Sequence, residues 1–139
     1  MYLNSETPKI AENDIVCYKQ FTYDGKRMVT QYKHYPMNIG CTYTDRKVAE
    51  IEGTSWHNQF YNKCPKYYLT EGVFHSFADF GDALTNVPFL RGLTIIVKCI
   101  IPKGAEYYEG VYPQNDNGKY TFVKVYGSKK IKLIEDCIY

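Results

Sequence analysis

The chain has 139 residues, 45% hydrophobic and 23% charged, with a net charge of +2. That length suits one domain with its own core, and the composition excludes disorder as the dominant state. The weak positive charge argues against a nucleic-acid partner, and no apolar run is long enough to span a membrane.

Fifteen Tyr and seven Phe stand against one Trp, which points to a β-rich fold with half-buried tyrosines on its sheet. The same excess suits a binding surface or an oligomer interface. Five cysteines (Cys17, Cys41, Cys64, Cys99 and Cys137) are odd in number and widely spread, without Cys-x-x-C. No disulfide framework or structural zinc site is expected, and Cys17 and Cys99, in apolar runs, are expected to be small buried hydrophobes.

Residues 1–13 form a polar lead-in without the pattern of a signal peptide, and residues 14–139 are expected to form a single domain. Ile15 to Phe21 is rich in β formers, and Asp24-Gly25 predicts a turn into a return strand over Met28 to Tyr32. From His34 to Tyr68 the pattern is irregular. Asp45 to Ile51 fits a short helix or a strand, and Trp56, His57, Phe60 and Tyr61 form an aromatic cluster. Gly72 to Phe77 predicts a strand leading into a helix with Ser76 as N-cap, since Asp79 stands three residues later. Phe77, Phe80, Ala83 and Leu84 repeat at helical spacing, and Asn86 and Pro88 end that helix.

Thr94 to Ile101 is the clearest strand. Ile95, Val97, Cys99 and Ile101 face one side, and Ile96 and Ile100 flank Lys98 on the other, which predicts a central position. Pro102-Lys103-Gly104 breaks it, and Glu106 to Glu109 forms a shorter segment. Pro113 to Gly118 reads as a loop between strands. Tyr120 to Tyr126 and Lys130 to Ile134 are the last strands, separated at Gly127-Ser128. Lys119, Lys124, Lys129, Lys130 and Lys132 predict a solvated hairpin face. The expected fold class is α+β: one β-rich domain, mostly an antiparallel twisted sheet, with one or two short helices.

No phosphate loop, dinucleotide fingerprint, zinc-protease motif or nucleophile elbow is present. His34, His57 and His75 share no metal-ligand spacing, and no metal or cofactor is expected. Three local features remain. His75 beside Ser76, at a strand end and a helix start, suits an anion; the plainer alternative is that Ser76 only caps the helix and His75 is half-buried. Ile100 to Gly110 runs strand, turn, strand. In Val125 to Ile131, Gly127 is read as a strand corner, and Tyr126, Ser128 and Lys129 could bind an anion through ring, hydroxyl and ammonium. The candidate ligand-binding residues are therefore His75, Ser76, Tyr108, Tyr126, Ser128 and Lys129, with no catalytic residue assigned.

Cys17-Tyr18-Lys19, Phe74-His75-Ser76-Phe77, Cys99-x-Ile101-Pro102-Lys103-Gly104-Ala105-x-Tyr107-Tyr108 and Tyr126 to Ile131 together resemble small proteins of phages and their bacterial hosts that bring no established function with them. The resemblance covers residues 14–135 and implies the cytoplasm of a host cell. More distantly, a strand running into Ile-Pro-Lys-Gly is similar to a piece of the ADP-ribosyltransferase fold. That likeness implies a catalytic Glu within Glu/Gln-x-Glu and an early His or Arg for NAD. Here Glu106 and Glu109 have a different spacing, and the early strand offers Tyr18 and Lys19. The leading expectation is a non-catalytic binding protein, a phage accessory factor capturing a nucleotide-like small molecule. The alternatives are a structural or oligomeric component, and an NAD-using transferase in which His75, Glu106 and Tyr108 take part.

Overall fold

The computed structural model describes residues 2–3, 8–31, 35–44, 49–52, 67–71, 73–87 and 93–137. Twelve strands are present among them: β1 (Tyr2–Leu3), β2 (Lys9–Ile10), β3 (Ile15–Tyr23), β4 (Met28–Thr30), β5 (Thr42–Thr44), β6 (Ala49–Glu52), β7 (Tyr67–Glu71), β8 (Phe74–Phe77), β9 (Leu93–Ile101), β10 (Glu106–Asp116), β11 (Lys119–Ser128) and β12 (Lys130–Cys137). One helix, α1 (Phe80–Thr85), accompanies them. Among the described residues the fold is thus a mostly antiparallel open sheet with a single short helix, a β-rich arrangement that matches the expected α+β class only loosely.

The main sheet runs β1-β10-β11-β8-β3-β9-β12-β5, with β2 also on β10 and β4 also on β3; β6 and β7 form a separate pair. The residues expected as a polar lead-in thus supply β1 and β2. The order forces curvature. Strands β11 and β12 stand four places apart, roughly 19 Å across a flat sheet at about 4.8 Å per strand. Only Lys129 joins them, so the sheet must curl until the end of β11 meets the start of β12.

The curl creates an inner and an outer wall. Cys17, Phe21, Val97, Cys99, Ile101, Ile131, Leu133 and Tyr126 pack inside it. Phe77, Ile96, Tyr108 and Val125 pack on the outside with Ala83 of α1 and Val73. Strand β9 lies between β3 and β12, and both Val97 and Ile96 are fully buried, as its two-sided pattern predicted.

The β3–β4 hairpin forms where Asp24-Gly25 predicted, with Asp24 Oδ1 accepting from the amides of Lys26 (3.0 Å) and Arg27 (2.9 Å). The return strand ends at Thr30; Tyr32 lies outside the described residues. Residues 49–51 are strand, settling part of the helix-or-strand choice. Residues 45–48 and the cluster of Trp56, His57, Phe60 and Tyr61 lie outside the described residues.

Three expectations are corrected. Ser76 does not cap the helix. It lies in β8 opposite Tyr126, and Asp79 is the N-cap, its Oδ2 accepting from the Asp82 amide at 3.1 Å. Both residues have caps' side chains, but pairing with β11 and burial of Phe77 keep the chain extended past Ser76. Second, Pro113 to Asp116 is strand rather than loop. Only Asn117 and Gly118 make the turn, both with positive φ (53° and 84°), as a two-residue hairpin of the favoured hand requires. Third, Gly127 and Ser128 belong to β11, and the break falls at Lys129; Gly127 is not among the positive-φ glycines.

Helix α1 is docked by a polar clasp. Gln20 Nε2 donates to the carbonyls of Ala83 (2.7 Å) and Asn86 (2.9 Å), which the helix end leaves unpaired. Tyr18 and Phe80 pack nearby, with ring centroids 5.7 Å apart.

Candidate functional site

Side chains alternate across a strand, so the register of β8, β10 and β11 sorts the six candidate residues into two sets. Tyr108 pairs with Gly127, and Gly127 with His75. These three form one row on the outer wall. The Lys129 amide donates to the Glu106 carbonyl (3.0 Å), extending the ladder by one row on the same side. Ser76, Tyr126 and Ser128 lie on the inner wall. His75, Tyr108 and Lys129 are therefore brought together; Ser76, Tyr126 and Ser128 are brought together behind them.

On the outer wall the polar groups meet through Glu106. Its Oε1 accepts from the Tyr108 hydroxyl at 3.2 Å, and its Oε2 lies 3.7 Å from Lys129 Nζ. Sequence reading ranked Glu106 only as a transferase participant; its strand parity with Tyr108 was the signal that it joins this group. His75 and Tyr108 stand two strand spacings apart, about 10 Å between Cα atoms, on either side of Gly127, which is itself buried. Tyr108 is buried and His75 half-buried.

On the inner wall, Ser76 and Ser128 are diagonal neighbours, both 0% exposed, and neither hydroxyl meets a hydrogen-bond partner among the described residues. Each such group costs about 1–3 kcal/mol. Continuing the Tyr18–Phe77 pairing by one residue sets Lys19 beside Ser76. Lys19 Nζ donates to the His75 carbonyl at 2.9 Å and lies 5.7 Å from the centre of the Phe21 ring. No sequence motif singled out Lys19 for this position; its place between Cys17 and Phe21 in an alternating strand was the available signal. Burial pushes the Cys17 thiol up to about 11, against smaller opposing effects of the Ser76 hydroxyl and the Lys19 charge. Burial also pushes the directly opposite Cys99 thiol upward, reinforced by Cys17. Both cysteines stay protonated and behave as the small hydrophobes expected.

At the edge of the inner wall, Glu109 stands across from Tyr126. Burial pulls its carboxyl upward, but Lys9 at 3.0 Å and Lys124 at 3.4 Å outweigh this and hold it below the ordinary value of 4.5. A carboxylate lowered in the folded state stabilises above its unfolded pKa, and that stabilisation is lost as pH falls through the folded one. Glu109 is a third exposed and Lys9 about half, so the contribution is below about 1 kcal/mol. Urea midpoints measured from neutrality downward should fall less steeply below pH 4.5 for Glu109→Gln than for the wild type. Parallel profiles would remove Glu109 from the acid response.

An open depression of about 650 Å³ lies elsewhere, between residues 9–13, Ile15 and Tyr107. None of the six candidate residues lines it. Among the described residues no helix is long and apolar enough to cross a membrane. No family model, curated protein or solved structure matches the chain.

Proposed function

We propose that the protein is a non-catalytic binding protein that captures a nucleotide-like small molecule on the outer wall of its curled sheet. One observation supports this above the others: His75 and Tyr108 flank Gly127 in a single row, with Lys129 in the next. A planar ring that displaces what covers the buried Gly127 would have a side-chain ring on each side, an arrangement worth about 1–3 kcal/mol per stacked base. A phosphate would compete with Glu106 for Lys129, which is 32% exposed in its side chain. The likeness of residues 14–135 to phage proteins fits an accessory factor working in a host cytoplasm.

Calorimetry with purine and pyrimidine mono-, di- and triphosphates tests the reading. Binding without turnover is expected, weakened about tenfold or more by His75→Ala, the equivalent of losing one stacked contact. No heat from any nucleotide would sink it.

Two other readings each have an observation in their favour. Tyr120 and Phe122, 46% and 51% exposed on one side of the β10–β11 hairpin, suit an oligomer or complex component. Light scattering that gives a strict monomer would count against it. His75, Glu106 and Tyr108 share the outer wall, as an NAD-using transferase would need. Labelled NAD that is neither transferred nor hydrolysed removes that reading.

A further inference from the structure

The inner core comes to the surface beside β2. Ala11 belongs to it, Ile15 and Tyr107 pack against it, and all three border the open depression of about 650 Å³. That volume falls within the range of small-ligand sites, about 300–1,000 Å³. Ile10, 60% exposed, adds a further apolar side. The charges around the depression are unequally matched. Lys9 Nζ is held by Glu109 Oε2 at 3.0 Å, so its charge is compensated. Glu12 and Asn13 are exposed, and their side chains meet no hydrogen-bond or ionic partner among the described residues.

We propose that this depression takes a small organic cation, an amine carried on an apolar body. The body covers Ala11, Ile15 and the open part of Tyr107, and so removes from water apolar surface that the fold leaves bare. The ammonium donates to the Glu12 carboxylate, with the Asn13 side-chain oxygen as a second acceptor. The Tyr107 ring adds an electron-rich face that attracts the same charge. An anion is disfavoured here, because it would face the unmatched Glu12 and could gain Lys9 only by breaking the pair with Glu109. None of the outer-wall candidates lines the depression, so the two sites stand or fail separately.

The test uses the full chain and three probes that share a phenyl body: phenethylamine, phenethyl alcohol and phenylacetate. Each is titrated while the backbone amide NMR shifts are recorded. Phenethylamine should give saturable shifts centred on Ala11, Glu12 and Asn13. It should bind about fivefold more tightly than the alcohol, the ratio that an exposed ion pair supplies at its upper end. Phenylacetate should bind least. Glu12→Gln should bring the amine down to the affinity of the alcohol. Ile10→Lys sets a second cation at an exposed position of the rim; it should keep the wild-type amide spectrum elsewhere and lose the amine. The proposal is overturned if phenethylamine gives no saturable shift at these amides. Equal affinity for the three probes, tighter binding of phenylacetate, or an amine affinity unchanged in Glu12→Gln overturns it as well.

Discussion

Ile96→Ala is expected to cost about 2–5 kcal/mol of stability, while Leu93→Ala on the same strand should stay within about 0.5 kcal/mol. Ile96 is 0% exposed and packs on the outer wall with Phe77, Ala83, Tyr108 and Val125. Its removal leaves a cavity between the sheet and α1, because a six-residue helix held by Gln20 has little freedom to close it. Leu93, at the start of β9, is 66% exposed and loses little. Against a usual total of about 5–15 kcal/mol, the first change brings the protein near unfolding and the second does not. Denaturant midpoints of the two variants measure the contrast. Equal costs would mean that β9 is not covered on both walls.

The same strand shows why part of the architecture was legible. Six of the eight residues from Thr94 to Ile101 are apolar and fall on both parities, and only a strand covered on both faces accepts that pattern. Asp24-Gly25 was equally readable, since an Asx turn is a local device that needs nothing from the rest of the chain. The misread places share a cause: a local signal lost to strand pairing. Ser76 and Asp79 both carry capping side chains, and only β11, some fifty residues later, decides that Ser76 is strand. Pro113 reads as a loop residue, yet β10 accommodates it with its pairing to Phe122 intact. The curl itself depends on which strands are neighbours, and no periodicity encodes that.

For the candidate site, alternation was the missing step. His75 and Ser76 are adjacent in sequence and were grouped as one feature, but consecutive strand residues point to opposite walls. The same holds for Tyr126, Ser128 and Lys129. The residues were chosen by chemistry from separate stretches, and the register of three strands divides them into a set around Gly127 and a set around the two serines. Glu106 and Lys19, each sharing a wall with one set, carry the charges that give the two walls different chemistry.

Gly104→Val is expected to cost about 1–3 kcal/mol, the usual penalty for forcing a side chain into a left-handed backbone. Pro102 to Ala105 close a turn through the Ala105 amide and the Pro102 carbonyl (3.0 Å), with Gly104 at φ 88° in its third position. A Cβ there would meet nothing within 4 Å, so the cost is conformational rather than steric crowding. The turn also holds the chain's beginning. The Gly104 amide donates to the Ala11 carbonyl (2.8 Å), the Ala11 amide to the Ala105 carbonyl (2.9 Å), and the Lys103 amide to Asp14 Oδ1 (2.8 Å). The Ile-Pro-Lys-Gly-Ala stretch therefore has a structural reason to exist without any ligand: it grips residues 11–14 and seats Ala11 in the inner core. Gly104→Asn, which tolerates positive φ, should cost less than the valine variant. Hydrogen exchange at the Ala11 and Ala105 amides should quicken in Gly104→Val before the rest of the sheet responds. If valine and asparagine cost the same, or if those amides keep their protection, the turn does not depend on a left-handed residue, and the motif must be explained by something that it binds.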